Sequence, residues 1–262
     1  MHEGFSFEST YATQWPKTRE SNPLRVYKKR KIGQGEMAAV YEVEVTVGGE
    51  SGALNQTEHS PNIKKRTFAL KEFHDGVVDD LVYDPAEDRA VRAMKNFSEL
   101  KNAGLATWET YRLGEDGKSI LMTYGEMEEW RCVGSNEDEA GTEKMPEIEN
   151  LDWLLEKMLS QVNIANDKDI YIPTDVYFFL VQKESNKKMD VVIGDMDLVI
   201  SNLREDGSLV MDESSFLKKN FEAAKSALSL FIKNSITDSG LKERYTSKVA
   251  AYFDSHLHNQ FH

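Results

Sequence analysis

Three short stretches of this sequence carry side chains whose types and spacing suit phosphate chemistry. In Ile32-Gly33-Gln34-Gly35-Glu36-Met37-Ala38-Ala39-Val40-Tyr41, two glycines stand between strand-forming residues. Where no Cβ intervenes, backbone N–H groups can approach phosphate oxygens. Val40, just beyond, then covers one face of a purine. Taken alone, a G-x-G is equally a plain hairpin turn. The second stretch is Phe68-Ala69-Leu70-Lys71, about thirty residues later. An ammonium within an apolar strand is costly to bury unless it meets an anion. The expected anions are a carboxylate from the following helix and the α- and β-phosphates of a nucleotide. The third stretch, Val191-Val192-Ile193-Gly194-Asp195-Met196-Asp197, sets two acids directly beyond an apolar strand.

The elements that must position these residues follow from periodicity. Val26 to Ile32, Ala39 to Val47 and Thr67 to Phe73 read as strands. Gly48 to Ile63 reads as a loop insertion between them. A helix is predicted over Asp84 to Asn102, with Val91, Met94, Phe97 and Leu100 as its apolar face and Ala103-Gly104 as its end. Trp108 to Leu113 and Ser119 to Tyr124 make a hairpin around Glu115-Asp116-Gly117. Leu151, Leu154, Leu155, Met158 and Val162 line a second helix. Val176 to Gln182 and Met189 to Gly194 form another hairpin, and two helices follow, Ser214 to Lys233 and Leu241 to Leu257. The order predicts an α+β protein with five strands and one helix first, then a mostly helical part, with a cleft between them. We divide it into an N-terminal arm (1–23), a first lobe (24–131), a polar, acidic connection (132–150) and a second lobe (151–262).

Composition bounds the function. The chain has 262 residues, 32 Lys+Arg against 45 Asp+Glu, a net charge of -13 and 40% hydrophobic residues. Such a balance fits a soluble globular protein and argues against nucleic-acid binding, which needs cationic density. No apolar run approaches the roughly 20 residues of a membrane span. The lone Cys132 excludes an intrachain disulfide, and the polar start Met1-His2-Glu3-Gly4 lacks a secretory signal; both point to an intracellular address. Two basic clusters, Lys28-Lys29-Arg30-Lys31 and Lys64-Lys65-Arg66, are candidate docking points for an anionic activator.

Taken together, the motifs resemble those of the protein-kinase superfamily. Gly33, Gly35, Ala38 and Val40 match its glycine-rich loop, and Phe68 to Lys71 its V-A-I-K strand. Ile120-Leu121-Met122-Thr123-Tyr124 looks like the strand and hinge beside adenine, and Asp195 matches the Mg²⁺-binding Asp of D-F-G. The order of motifs is kept from about Arg25 to Leu198. The resemblance implies a two-lobed fold with a five-stranded sheet above a reduced, mostly helical lobe. It further implies ATP and Mg²⁺ as cofactors: Gly33, Gly35, Val40, Ala69 and Met122 around the nucleotide, Lys71 on its phosphates, Asp195 and Asp197 on the metal.

The departures are as informative. Aligned on Phe178 to Val181, the H-R-D triplet falls on Tyr171-Ile172-Pro173, and the metal-binding Asn on Phe178. Neither Pro173 nor Phe178 can accept a proton or ligate a metal. Asp175 is the nearest carboxylate and the candidate for the acceptor side. Lys71 lacks an obvious mid-helix glutamate; Glu87 and Glu99 flank the place. About 65 residues follow Asp197, without an A-P-E motif, as in atypical or secreted bacterial effector kinases. The leading expectation is an atypical ATP- and Mg-dependent kinase acting on Ser/Thr of a protein, intracellular or delivered into a host cell. The alternatives are an inactive pseudokinase that binds a nucleotide or partner, and another transfer such as AMPylation or small-molecule phosphorylation.

Overall fold

β1 (Leu24–Gln34) and β2 (Ala38–Val47) form an antiparallel hairpin whose turn is closed by the Gly35 N–H donating to the Ala38 carbonyl at 2.9 Å. The computed structural model describes residues 24–35, 37–47, 64–78, 82–114, 116–124, 129–133, 144–201 and 210–260. The N-terminal arm, the insertion Gly48 to Ile63 and the middle of the acidic connection lie outside the described residues. β3 (Lys64–Phe73) follows, then the short strands β4 (Gly76–Val78) and β5 (Val82–Asp84), and helix α1 (Ala86–Ala103). β6 (Thr110–Leu113) and β7 (Ser119–Met122) complete a five-stranded antiparallel sheet in the order β1-β2-β3-β7-β6. At the turn between them, the Asp116 carboxylate accepts from the Lys118 and Ser119 N–H groups.

β8 (Trp130–Val133) straddles the expected lobe boundary: it is a strand paired with β10 (Tyr177–Gln182), which pairs in turn with β11 (Met189–Ile193). α2 (Leu151–Asp167) precedes β9 (Ile170–Tyr171), and β9 pairs with β12 (Ile200–Ser201). α3 (Glu213–Ser235) and α4 (Ser239–Gln260) end the chain, bringing the described helices to four. α3 begins on Asp212, whose side chain accepts from the Ser215 N–H; hydrogen bonds from Ser215, its side chain first and then its backbone, and from the Ser214 hydroxyl hold the Asp212 carboxyl down at about 2. Two- and three-residue strands have no readable period, so β4, β5, β9 and β12 were not expected. The fold is α+β.

Register sorts the sheet's two faces. Residues directly opposed in an antiparallel pair point to the same side. Gly33 opposes Val40, Val40 opposes Lys71, and Lys71 opposes Ile120, while Ala69 opposes both Glu42 and Met122. All seven therefore share one face. The other face buries a small cluster of Val43, Val45, Phe68 and Leu121, with Tyr41 and Leu70 against it. Phe73 and Ile120, on the first face, belong instead to one continuous core. That core runs through α1 and α2 to Phe179, Phe221, Phe231 and Phe253.

The buried face of α1 keeps the expected Phe97 and Leu100, with Met94 against the core, but not Val91. Val91 is 53% exposed, whereas Ala86, Arg89, Ala90, Ala93, Phe97 and Leu100 are buried. Ala86, Ala90 and Ala93, at most 1% exposed, are small residues packed closely at these positions of that side. Ala90→Leu should therefore cost about 1–3 kcal/mol through overpacking, while Val91→Ala should stay within about 0.5 kcal/mol. Urea denaturation midpoints of the two variants check this.

Candidate functional site

Lys71 sits near the C-terminal end of β3, the central strand of the sheet, and is 7% exposed. Its Nζ donates to Asp195 Oδ1 and to Asp197 Oδ1, each at 2.9 Å. An ammonium at that depth requires countercharge, and two carboxylates supply it. Burial acts to lower the lysine's pKa, but attraction by Asp195 and then Asp197 outweighs it, so the ammonium is held above its ordinary 10.5. Among the described residues these two acids are its ion-pair partners. Neither expected glutamate serves: Glu87 pairs with Lys118 at 3.1 Å, and Glu99 with Lys95 at 3.9 Å, both on the exposed side of α1.

The two aspartates are not equivalent. Asp195 lies just beyond β11 with φ 40° and ψ 54°, a left-handed conformation that aspartate tolerates better than most residues. Its side chain is 35% exposed. Asp197 lies in the 3-10 turn Met196–Leu198, and its side chain is 4% exposed. It stands between two cations, because Arg89 Nη1 of α1 is 3.8 Å from its Oδ2. Arg89 is itself anchored, Nη2 to Asp84 Oδ2 at 2.9 Å, and Arg92 shares that carboxylate at 2.8 Å. Arg92 Nε also donates to the Asp197 carbonyl, and Asn96 Nδ2 donates to the carbonyls of Met196 and Val199. Three side chains one turn apart on α1 thus grip the segment that carries both acids.

A second support holds the Asp175 side. Asn220, wholly buried in α3, donates to Asn166 Oδ1 and the Ile170 carbonyl, and accepts from the Ile172 N–H at 2.9 Å. This fixes the chain entering the 3-10 turn Thr174–Val176. The Gly194 N–H donates to the Val176 carbonyl at 2.8 Å, so the β10–β11 ladder brings Asp175, which is exposed, and Asp195, which is partly exposed, to the same end. Phe178 covers Gly194: a Cβ there would lie 2.6 Å from its ring, and Trp108 flanks it at 6.1 Å between centroids.

On the sheet face, a Cβ at Gly33 would come no nearer than 3.8 Å to Val40. That is ordinary van der Waals contact; Val40 and Met122 are partly exposed on this face, whereas Ala69 and Ile120 are buried. Arg30, Glu42 and Tyr124 close one edge: Arg30 Nε donates to Glu42 at 2.7 Å, and the Tyr124 hydroxyl donates to Glu42 at 3.1 Å. Hydrogen bonding from Arg30 holds the Glu42 carboxyl below its ordinary range. Lys28, Lys29 and Arg30 of the first basic cluster pair with Glu72, Glu44 and Glu42, and Lys31 donates to Gln34. The side chains of Lys64, Lys65 and Arg66 lie outside the described residues. The sequence reading did not single out Asp84, Arg89, Arg92, Asn96 or Asn220; one signal was available, the two arginines three apart on a helix facing a lysine strand.

The chain matches no family model and no curated protein. Among the described residues no helix is long and apolar enough to cross a membrane, and no cluster of three or more His, Cys, Asp or Glu side chains is arranged to hold a metal. One or two carboxylates nevertheless suffice for Mg²⁺ when phosphates and water complete its shell, and partly exposed Asp195 has the chemistry for that part.

Stability should separate the two acids. Asp197→Ala leaves a buried cation short of its partner and should cost about 3–5 kcal/mol. Asp195→Ala, at a partly exposed pair, should cost about 1 kcal/mol or less; chemical denaturation of both variants checks this. The raised Lys71 pKa contributes stability that is fully present below 10.5 and lost as pH rises through the higher folded value. The stability gap between wild type and Lys71→Met should therefore narrow above pH 10.5, as measured by urea midpoints across an alkaline series.

Proposed function

We propose that the chain is an atypical, kinase-like phosphotransferase that binds ATP with Mg²⁺ and phosphorylates a Ser or Thr hydroxyl of a protein. In this reading the five-stranded sheet forms one lobe, and α2, α3 and α4 with the β10–β11 hairpin form a reduced second lobe. The observation that carries the proposal is the Lys71–Asp195 contact. It joins a strand ammonium and a post-strand acid, 124 residues apart, on the sheet face that carries Val40, Ala69 and Met122. Few structural needs bring a lysine to such a place, whereas a triphosphate needs a cation and a metal carboxylate side by side.

The roles follow from position. Gly33 and Gly35 leave backbone within reach of phosphate oxygens. Val40, Ala69 and Met122 supply an apolar bed for adenine. Lys71 turns its ammonium to the phosphates. Asp195 would hold a Mg²⁺ ion, which would supply neutralisation of the charge that develops on the transferred group. Asp175, at the same end of the ladder as Asp195, orients the acceptor hydroxyl and receives its proton. The hydroxyl oxygen bonds to the γ-phosphorus, the bond to the β,γ-bridging oxygen breaks, and ADP leaves.

One observation favours a second reading. Phe178 lies against Gly194 where the resemblance implies an Asn for a second metal, which suits a protein that holds a nucleotide without transferring phosphate. Calorimetry with ATP, with and without Mg²⁺, tests binding: wild type should bind in a metal-dependent way, and Asp195→Ala should lose that dependence. Intact-mass analysis of dephosphorylated casein and of the chain itself, after incubation with ATP and Mg²⁺, tests transfer. A gain of phosphate, reduced about 10²–10³-fold in rate by Lys71→Met, supports the kinase. Metal-dependent binding with no mass gain supports the second reading, a gain of AMP shows nucleotidyl transfer, and absence of ATP binding removes all three.

A further inference from the structure

The most unusual group near the site is one that the proposed chemistry does not use. Arg89 is 2% exposed, and its Nε and Nη1 have no hydrogen-bond partner among the described residues. Buried guanidinium nitrogens without partners are costly, and such a group calls for a reason. Nη2 is tied to Asp84, which Arg92 also holds, so the guanidinium is fixed in place with its unsatisfied edge beside Asp197. The gap from Nη1 to Asp197 Oδ2 is 3.8 Å. Closing it by about 1 Å makes a charge-assisted hydrogen bond.

This geometry solves a problem set by the nucleotide. Lys71 is bonded to Asp197 as well as to Asp195. An ammonium that turns to phosphates leaves a carboxylate that is 4% exposed without its closest countercharge. Unless something replaces the lysine, that stranded charge opposes binding. We infer that Arg89 is a positioning residue that takes over the Asp197 carboxylate when Lys71 turns to phosphate. The inference rests on the reading that Lys71 meets a nucleotide, and it adds a division of labour between the acids. Asp195 faces the metal, whereas Asp197 is a counter-ion passed from one cation to another. α1 also grips the Asp195–Asp197 segment through Arg92 and Asn96, so the exchange needs only side-chain movement.

The test is calorimetric titration of ATP with Mg²⁺ into four proteins, with urea midpoints taken in parallel. Arg89→Met should weaken binding about 5- to 150-fold, the usual span of such coupling. Adding Asp197→Asn to it should restore affinity, because no buried carboxylate is then left stranded; a purely structural loss would not be rescued in this way. Asp197→Asn alone should bind more tightly than wild type, since Lys71 is released from one anion. Arg89→Met binding as wild type does, or Asp197→Asn losing its metal-dependent binding, overturns the handover while leaving the proposed function standing. If Arg89→Met does not fold, the Asp197→Asn titration decides alone. Wild type that binds no ATP overturns both.

Discussion

A single buried ammonium organises this molecule. Lys71 points from the middle of a sheet into a place where water cannot neutralise it, and everything around it answers that constraint. Asp195 and Asp197 are drawn to its Nζ at 2.9 Å, which fixes the end of β11 against the face of β3. The loop that carries them then needs its own carbonyls satisfied, and Arg92 and Asn96 of α1 do so. Arg89 and Asp84 complete the set. With Lys71, Arg89 and Arg92 against Asp84, Asp195 and Asp197, the cations and carboxylates are equal in number. Balanced charge lets so polar a cluster lie beside a hydrophobic core.

That closure also explains how the two parts of the chain remain in register. The continuous core passes from Phe73 and Ile120 of the sheet through α1 into the helices, so packing alone resists separation. Packing is insensitive to small rotations, however, while hydrogen bonds are not. Asn220 performs from the helical side what Arg92 and Asn96 perform from α1. It locks the backbone ahead of Asp175 through bonds to Ile170 and Ile172. The acids at the end of the β10–β11 ladder are therefore held from both flanks.

Much of this was legible in the sequence. The strands and helices have clear periods, and a lysine inside Phe68-Ala69-Leu70-Lys71 announces a buried charge that needs a partner. The identity of that partner was not legible. Sequence reasoning looked along the nearest helix, at Glu87 and Glu99, because local pairing is the cheaper assumption; the actual partners lie 124 and 126 residues away. Arg89 was missed for the complementary reason, since arginines usually face water and only the surrounding carboxylates justify burying one. On α1 the alanines, weak in any hydrophobicity pattern, form the buried face, and Val91, strong in it, does not. Asn220 resembled any polar residue in a long helix until its three partners were in place.

The division of apolar residues between the sheet's two faces bears on how the protein breathes. The outer cluster of Val43, Val45, Phe68 and Leu121 is too small to hold β1 and β2 by itself, whereas β10 and β11 belong to the continuous core. Native-state amide exchange in the first hairpin should therefore proceed by local opening, and in β10–β11 only through global unfolding. The glycine-bearing turn would then sit on the least cooperative unit of the fold, and the acids on the most cooperative one. A compliant flap facing a rigid anvil is the mechanical outcome.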